Sequence, residues 1–220
     1  AYSINNGDNT YQNKVIHLNA DLNMNAHYWI PIGTSIYNFK SRFDGHGHTI
    51  QGINVNRTGS SHNGLFGIIY GDANSRGSIH NLVLLNSTIN GGDYTGGIVG
   101  LMYGSTEVAN VVCGASVAGW NRVGGIIGCT DTYISGSMIN APEIHGCLYI
   151  GTTVSGTSNR AAIIGEIDSY VVHSGNYYSN QALDGVNSAD VRAYVISNLN
   201  TSSEVIIEFD YSAGISYEKL

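Results

Sequence analysis

The 220-residue chain combines 42% hydrophobic residues with 11% charged residues and carries a net charge of −7. A disordered chain has the opposite balance. The negative charge and low lysine content also argue against a nucleic acid or an anionic membrane surface as the partner. No apolar run approaches the length of a bilayer span, so we expect no direct membrane insertion. Glycine is frequent (29) while proline is rare (2), which predicts many tight corners between short ordered segments.

The first segment, residues 1–62, contains the alternating apolar patterns of two strands, Val15–Leu18 and Ile50–Val55. We interpret it as an irregular N-terminal cap with the initial coils of a repeat structure. The sequence starts at Ala1 without a recognisable signal peptide, and we expect a leader to have been removed or not included.

A four-residue glycine box recurs in the central segment, residues 63–183. Its copies are Gly64–Gly67, Gly97–Gly100, Gly125–Gly128 and Ala162–Gly165. A β-branched residue lies eight positions before each of the last three copies. These residues are Ile89, Val117 and Val154. The constant spacing predicts repeats that stack in register.

The apolar runs between the boxes are short and β-branched, which favours strands over helices. Stacking would place equivalent side chains in buried ladders. We expect one ladder of Leu82, Val111 and Cys147, and another of Leu84, Cys113 and Tyr149. The box glycines are predicted to adopt positive φ at corners and to let neighbouring coils approach closely.

The last segment, residues 184–220, lacks the box pattern. Ser188 is a suitable N-cap for a helix that runs to Leu199, and Glu204–Phe209 has the composition of a strand. We interpret this segment as a cap that covers exposed strand edges. The predicted fold is therefore all-β: a right-handed parallel β-helix (β-solenoid) with a small C-terminal α/β cap, all three segments forming one folding unit.

The boxes also resemble a known family. Trp29–Gly33, then Phe43–Ile50, then Gly64–Gly67 is similar to the usual order in GLUG-motif repeats, over roughly residues 10–200. Such repeats occur in bacterial surface and adhesin-like proteins and in non-catalytic regions of immunoglobulin A-specific metallopeptidases. The resemblance implies a β-helical fold outside a bacterial cell and supplies no catalytic residues. Ala162 departs from the motif, and we expect a relaxed corner there.

Acidic residues follow the boxes at short distances. They are Asp72, Glu107, Asp131, Glu166 and Asp168. Glycoside hydrolysis needs two carboxylates about 5–10 Å apart, and calcium would use the same oxygen ligands. We favour the interpretation that these carboxylates form a solvated acidic edge. No Asp-rich calcium loop and no catalytic motif accompanies them. We therefore predict no catalytic residues and no cofactor, with calcium as an alternative.

Histidine and cysteine patterns do not predict a metal site. His46 and His48 flank Gly47, but no third ligand lies at usable spacing, so we interpret the segment as a turn. The three cysteines match neither a disulfide framework nor a zinc site. We expect Cys113 and Cys147 to be buried and inert, and Cys129 to be more exposed.

The loops between each β-branched residue and the following box are the candidate ligand-binding regions. Stacked repeats would align them along one edge, and their aromatic, asparagine and arginine side chains suit contacts with carbohydrate or protein. The candidate residues are Asp93, Tyr94, Trp120, Asn121, Arg122, Asn159 and Arg160.

The favoured function is a non-enzymatic bacterial cell-surface module for adhesion to, or binding of, an extracellular glycan or protein. Two alternatives remain. The first is a β-helical carbohydrate-active enzyme, either a polysaccharide hydrolase or a lyase. The second is an accessory spacer of a larger secreted protein.

Overall fold

A computed structural model describes residues 1–178 and, further along, the backbone of residues 194–195, 205–210 and 214–219. Among these residues the chain is all-β except for one short helix, α1 (Tyr2–Asn5). The strands are β1 (Val15–His17), β2 (Leu22–Tyr28), β3 (Arg42–Asp44), β4 (Thr49–Asn56), β5 (Phe66–Gly71), β6 (Ser78–Asn90), β7 (Thr95–Gly96), β8 (Val99–Gly104), β9 (Glu107–Ala118), β10 (Asn121–Gly124), β11 (Ile127–Asp131), β12 (Tyr133–Ser135), β13 (Met138–Asn140), β14 (Glu143–His145), β15 (Leu148–Tyr149), β16 (Val154–Ser155), β17 (Ser158–Ala161), β18 (Ile164–Glu166), β19 (Val172–Ser174), β20 (Tyr177–Tyr178), β21 (Tyr194–Val195), β22 (Val205–Asp210) and β23 (Gly214–Lys219).

Three sheets of parallel strands make up most of the described chain. The largest has 12 strands along the path β1-β3-β6-β9-β15-β20-β21, with β2, β4, β14, β16 and β19 paired beside it. The second has the order β5-β8-β11-β18 and the third has the order β7-β10-β17. Neighbouring strands come from successive repeats. The repeats of the last three boxes contribute a strand to each of the three sheets, and the repeat of the first box reaches the third sheet only by an isolated bridge between Asn63 and Thr95.

The register aligns the glycine boxes as predicted. The third residue of each box pairs with the third residue of the next, in the series Phe66, Val99, Ile127 and Ile164. The alignment holds at the fourth box, although Ala162 replaces glycine there. An isolated bridge between Ile32 and Phe66 extends the series by one further segment, residues 29–33.

The predicted buried ladders are present. Leu84, Cys113 and Tyr149 pair across β6, β9 and β15, and all three side chains are fully buried. Leu82 pairs with Val111, and Cys147 is also fully buried. The β-branched residues that lie eight positions before a box likewise pair with one another. They are Ile89, Val117 and Val154.

The box glycines permit close approach but do not adopt positive φ, so that part of the prediction was wrong. The first glycine of a box faces the neighbouring repeat: a Cβ on Gly97 would lie 2.4 Å from the carbonyl oxygen of Gly125. The last glycine faces the loop of the preceding repeat: a Cβ on Gly128 would lie 2.7 Å from the backbone nitrogen of Thr95. Backbone crowding, not turn geometry, therefore requires glycine.

The two ends of the chain differ from the expectations in detail. The predicted strands in residues 1–62 correspond to β1 and β4, and the predicted strand near Glu204 corresponds to β22, which pairs antiparallel with β23. The helix predicted from Ser188 to Leu199 falls outside the described residues except at Tyr194–Val195. Those two residues form β21, a strand parallel to β20, and not a helix. No helix among the described residues has the length and apolarity to span a bilayer.

Candidate functional site

The loops that precede the boxes stack along one edge, as the spacing predicted. Asn121 pairs with Ser158, and Val123 pairs with both Thr95 and Arg160. In the loop before each box, one residue has a left-handed backbone. These residues are His62 (φ 63), Tyr94 (φ 58), Arg122 (φ 58) and Asn159 (φ 46). We call them the edge stack.

Contacts within the edge stack are continuous from one repeat to the next. The rings of His62 and Tyr94 are stacked with centroids 4.8 Å apart. The Arg122 guanidinium lies 4.8 Å from the Tyr94 ring centroid. Arg122 Nε donates to Glu166 Oε1 at 2.9 Å, and Asn159 Nδ2 donates to Glu166 Oε2. Both faces of the Tyr94 ring are therefore covered by the protein's own side chains.

A second polar column ties the same loops together. Asp93 Oδ1 accepts hydrogen bonds from the backbone nitrogen and from Nδ2 of Asn121, each at 3.1 Å. Asn121 Oδ1 in turn accepts from Thr157 Oγ1 at 3.0 Å and from Ser158 Oγ. Asp93 and Asn121 thus bond to neighbouring repeats, which fixes the loops relative to one another.

The seven candidate residues from the sequence consequently separate into three groups. Tyr94, Arg122 and Asn159 come together in the edge stack, and Asp93 and Asn121 come together in the polar column. Trp120, which is 53% exposed, and Arg160, which is also exposed, project from the surface.

A groove of about 390 Å³ lies between the edge stack and the outer surface of the β5-β8-β11-β18 sheet. One wall is formed by His62, Tyr94 and Arg122. The floor and the far end are lined by Leu101, Cys129, Thr130, Asp131, Glu166, Ile167, Asp168 and Ser169. Three of the five carboxylates that the sequence predicted as an acidic edge therefore converge here, whereas Asp72 and Glu107 do not line the groove.

The groove carboxylates are held by different partners. Glu166 is paired with Arg122. Asp168 Oδ1 accepts from Thr132 Oγ1 at 2.7 Å and from the Tyr170 backbone nitrogen at 3.0 Å. Asp131 is exposed. The groove consequently presents acidic acceptors beside one arginine that is already paired.

A cluster of three tyrosines continues the same sheet surface beyond the groove. The Tyr70 and Tyr103 ring centroids are 5.5 Å apart, and Tyr133 lies 5.9 Å from Tyr103 and 6.4 Å from Tyr70. Lys40 Nζ lies 4.5 Å from the Tyr70 ring centroid. Burial, and then the charge of Asp72, raise the pKa of the Tyr70 hydroxyl.

The sequence interpretation missed this tyrosine cluster, although a signal was present. Tyr70 and Tyr103 each lie three residues after the closing glycine of a box, and Asp131 and Asp168 lie at the same position in the next two repeats. Tyr70 pairs with Tyr103, and Tyr103 pairs with Asp131, so this position forms one column on the sheet surface. The column changes from aromatic to acidic along the stack.

The cysteines do not contribute reactive groups. Burial raises the pKa of each thiol to about 12, which suppresses the nucleophilic thiolate. Cys113 and Cys147 are buried as predicted. Cys129 was expected to be more exposed, but it is only 5% exposed on the groove floor, because Glu166 pairs with it on the adjacent strand and the edge stack lies beside it.

Glu107 belongs to a separate network on the 12-stranded sheet. Its carboxylate oxygens lie 3.1 Å from His80 Nε2 and 2.9 Å from His145 Nε2, and Arg76 is 3.5 Å away. Hydrogen bonds from His80 and His145 lower the pKa of Glu107 to about 2. A general acid for glycoside hydrolysis needs a raised pKa, so this residue is suited to an ion-pair network and not to acid catalysis.

Comparisons with known proteins support the fold and a restricted sequence relationship. No family model matches the chain, so the GLUG assignment stays a resemblance. Halomucin of Haloquadratum walsbyi is 37% identical over 93 residues, which are 42% of this chain and 1% of halomucin. A crystal structure from Bacteroides ovatus, provisionally designated an immunoglobulin A1 protease, aligns with a TM-score of 0.53 at 19% identity. That alignment covers 80% of this chain and 64% of the other, and it shows a shared fold.

Proposed function

We propose that the chain is a right-handed parallel β-helix that acts as a non-catalytic, extracellular module binding a neutral glycan. The three parallel sheets would be the faces of the helix, since each of the last three box repeats contributes a strand to each sheet. The observation that carries the functional part is the surface that joins the groove to the tyrosine cluster. The similarity to halomucin and to the Bacteroides ovatus structure supports a surface-associated module.

Rigidity is the first reason to assign binding to this surface. The edge stack and the polar column hold each loop by side-chain contacts with the repeat on either side. A ligand would meet a surface whose side chains are already ordered, so binding would cost little conformational entropy. Binding sites on loops positioned by a rigid scaffold are common for the same reason.

The chemistry of the surface favours a carbohydrate. Tyr70, Tyr103 and Tyr133 are partly exposed, and aromatic rings with a polar edge pack against the apolar faces of sugar rings while the hydroxyls remain hydrogen-bonded. Asp131 and Asp168 are acceptors for sugar hydroxyl groups in the adjoining groove.

Charge restricts the class of glycan. The whole chain has a net charge of −7, and the groove cation Arg122 is already paired with Glu166. A sialylated, sulfated or uronic-acid glycan would meet like charge at Asp131 and Asp168, which disfavours association. We therefore infer a preference for neutral over acidic glycans.

The test is a glycan array with matched neutral and acidic members, followed by titration of the best ligand. We expect neutral glycans to bind and Tyr103→Ala to weaken binding about tenfold, the effect of losing one aromatic contact. Tyr28→Ala is the control, because Tyr28 is 80% exposed on β2 and does not line the groove. Exclusive binding of acidic glycans, or equal losses in both variants, would contradict the proposal.

A carbohydrate-active enzyme is the second candidate, favoured by one observation. Asp131 and Asp168 lie four residues after Ile127 and Ile164, which pair on adjacent strands. Adjacent strands are about 4.8 Å apart, close to the separation that retaining glycosidases use. We favour binding because Asp168 accepts hydrogen bonds where a proton donor is required. Release of reducing ends from a polysaccharide panel, abolished by Asp131→Asn or Asp168→Asn, would decide for the enzyme.

A further inference from the structure

A column of histidines and carboxylates follows the outer surface of the 12-stranded sheet, away from the groove. His17 pairs with Asp44, and Asp44 pairs with His80. His145 occupies the same register two repeats later, opposite Ala109. We call these residues, with His46 beside Asp44, the histidine column.

The start of this column brings three metal-binding side chains together. His17, Asp44 and His46 each offer one ligand atom, and these atoms all lie within 4.8 Å of one another. His17 Nδ1 is 2.7 Å from His46 Nε2, and His46 Nε2 is 3.9 Å from Asp44 Oδ2. The left-handed backbone at His46 (φ 50) turns its imidazole back towards β3.

These distances are close to those of a zinc site. Zinc binds imidazole nitrogen at about 2.0–2.1 Å, so two nitrogens of a tetrahedral site lie roughly 3.3 Å apart. The observed separations of 2.7 and 3.9 Å bracket that value. Both histidines are at the surface, and small side-chain rotations would place all three ligand atoms around one ion.

The surroundings of Asp44 orient it as a ligand. Asp44 is only 7% exposed, and its Oδ1 accepts from Asn81 Nδ2 and from the His46 backbone nitrogen, each at 3.1 Å. The carboxylate is therefore fixed with Oδ2 directed at the imidazole of His46. Hydrogen bonds of this kind orient the ligands in established metal sites. Arg42 lies 3.2 Å from Oδ2 and is the competing cation.

We propose that His17 Nδ1, His46 Nε2 and Asp44 Oδ2 bind one divalent transition-metal ion of the zinc class, with a fourth position open to solvent. Two imidazoles and one carboxylate suit zinc, whereas calcium and magnesium prefer oxygen ligands. The ion would join β1, an edge strand in the described sheet, to the turn after β3. It would thereby fix a strand edge that is otherwise a site of fraying or unwanted pairing.

A second group of possible ligands, Glu107, Glu143 and His145, is less suited to an ion. Arg76 lies 3.5 Å from Glu107 and 3.0 Å from Glu143, so both carboxylates already share one guanidinium. His80 and His145 complete the contacts of Glu107. This group is therefore a useful internal comparison for the experiment.

The experiment is calorimetric titration of the full chain with zinc chloride, with calcium and magnesium chloride as comparison ions. We expect one zinc site, and we expect His17→Ala and His46→Ala each to weaken zinc binding more than about tenfold, as loss of a direct ligand should. His48→Ala, whose imidazole contacts Asp21, and Glu143→Gln are the controls and should leave binding unchanged. Circular dichroism without metal confirms that each variant is folded.

Two further variants probe the surroundings of the ion. Arg42→Ala should tighten zinc binding, because it removes the competing cation. Asn81→Gly should weaken binding about tenfold to a hundredfold, the usual loss for a group that orients a ligand. Glycine is tolerated at this position of the repeat, since Gly146 and Gly175 have the same left-handed backbone (φ 63 and 61) in later repeats.

Hydrogen exchange tests whether the ion fixes β1 to the turn after β3. Zinc should slow exchange of the β1 amides in the wild-type chain and not in His17→Ala. Absence of zinc binding, equal losses in His17→Ala and His48→Ala, or binding that depends on Glu143 alone would each overturn the proposal. Zinc binding without protection of the β1 amides would contradict the proposal that the ion fixes this strand.

Discussion

The groove surface, which comprises the groove and the adjoining tyrosine cluster, and the histidine column belong to the same repeats. Charged residues are arranged in opposite ways on these two surfaces. Along the histidine column, basic and acidic residues alternate: His17, Asp44 and His80 are consecutive in register. On the groove surface the column three residues after each box is segregated, with Tyr70 and Tyr103 at one end and Asp131 at the other. Stacking places each side chain next to the residue at the same position of the neighbouring repeat. Where basic and acidic residues alternate, neighbouring charges therefore pair with each other.

Segregation has the opposite consequence. Neighbouring tyrosines pack together and neighbouring carboxylates cannot neutralise one another, so Asp131 stays exposed to solvent or to a ligand. This contrast supports the proposal that the histidine column stabilises the sheet and that the groove surface binds a ligand. The zinc proposal refines this assignment, since a metal ion would strengthen the column at its edge strand.

The largest expected effect is on stability, through the packing of the closing glycines against the loops that form the groove wall. In Gly128→Ala the new Cβ would lie 2.7 Å from the carbonyl carbon of Tyr94 and from the nitrogen of Thr95. Backbone must move to relieve this contact, and we expect a loss of roughly 3 kcal/mol in the free energy of unfolding. Urea denaturation measures it.

Gly59→Ala is the matched control, because a Cβ there meets no atom within 4 Å. Equal stability of Gly128→Ala and Gly59→Ala would show that the loops do not depend on the closing glycines. The groove wall would then be no more rigid than an ordinary surface loop.

The next effect concerns Glu107, which contacts His80 and His145 of the histidine column, and the dependence of stability on pH. The pKa of Glu107 is about 2 in the folded chain, below the usual value of 4.5. Its stabilising contribution is therefore complete above about pH 4.5 and is lost as the pH falls from 4.5 towards 2. We expect Glu107→Gln to lose about 2 kcal/mol near neutral pH and to have a weaker acid-induced loss of stability.

The control for Glu107→Gln is Glu143→Gln, which also contacts Arg76 but has a more exposed side chain. Urea denaturation at several pH values compares the two. If both variants retained the full acid dependence of the wild type, Arg76, His80 and His145 would not be stabilising the Glu107 carboxylate.

The smallest effect concerns the edge stack. Arg122→Asn removes the contact with Tyr94 and the ion pair with Glu166, and it introduces the residue that Asn159 provides at the same position of the next repeat. We expect a loss of about 1 kcal/mol, because both interactions are partly exposed to solvent. Thermal and urea unfolding measure it.

Arg160→Asn is the control, since Arg160 is exposed and lies outside the edge stack. A loss in Arg160→Asn as large as in Arg122→Asn would mean that the stacked contacts add nothing to loop stability. Retention of glycan binding in Arg122→Asn would confine the ligand to the tyrosine cluster.

Much of the fold could be predicted because it depends on spacing along the chain. The eight-position offset from Val117 to the next box placed Val117 beside Ile89 and Val154, and the ladder of Leu84, Cys113 and Tyr149 followed from the same repeat. The conformation of the box glycines was not predictable. Crowding by the backbone of another repeat and positive φ both select glycine, and only the structure distinguishes them.

The alignment of the candidate loops was predicted, and the binding role of their residues stays a prediction. The sequence indicated which loops align, but it did not show that Asp93 and Asn121 bond to each other, or that both faces of Tyr94 are covered. The sequence interpretation also missed the tyrosine cluster, whose signal was present, and the sequence did not indicate the approach of His17 to His46. His46 was paired with His48 by proximity in sequence, whereas its structural neighbour is 29 residues away.

The sequence by itself determined the all-β class, the positions of the boxes, the pairing of successive repeats and the burial of Cys113 and Cys147. These properties follow from periodic apolar residues, which must be buried by stacking whatever the loops do. The tertiary structure alone decided which polar side chains satisfy one another and which face solvent. That outcome depends on distances of 3 to 5 Å between residues about 30 positions apart, and small changes in loop length alter them without altering the repeat pattern.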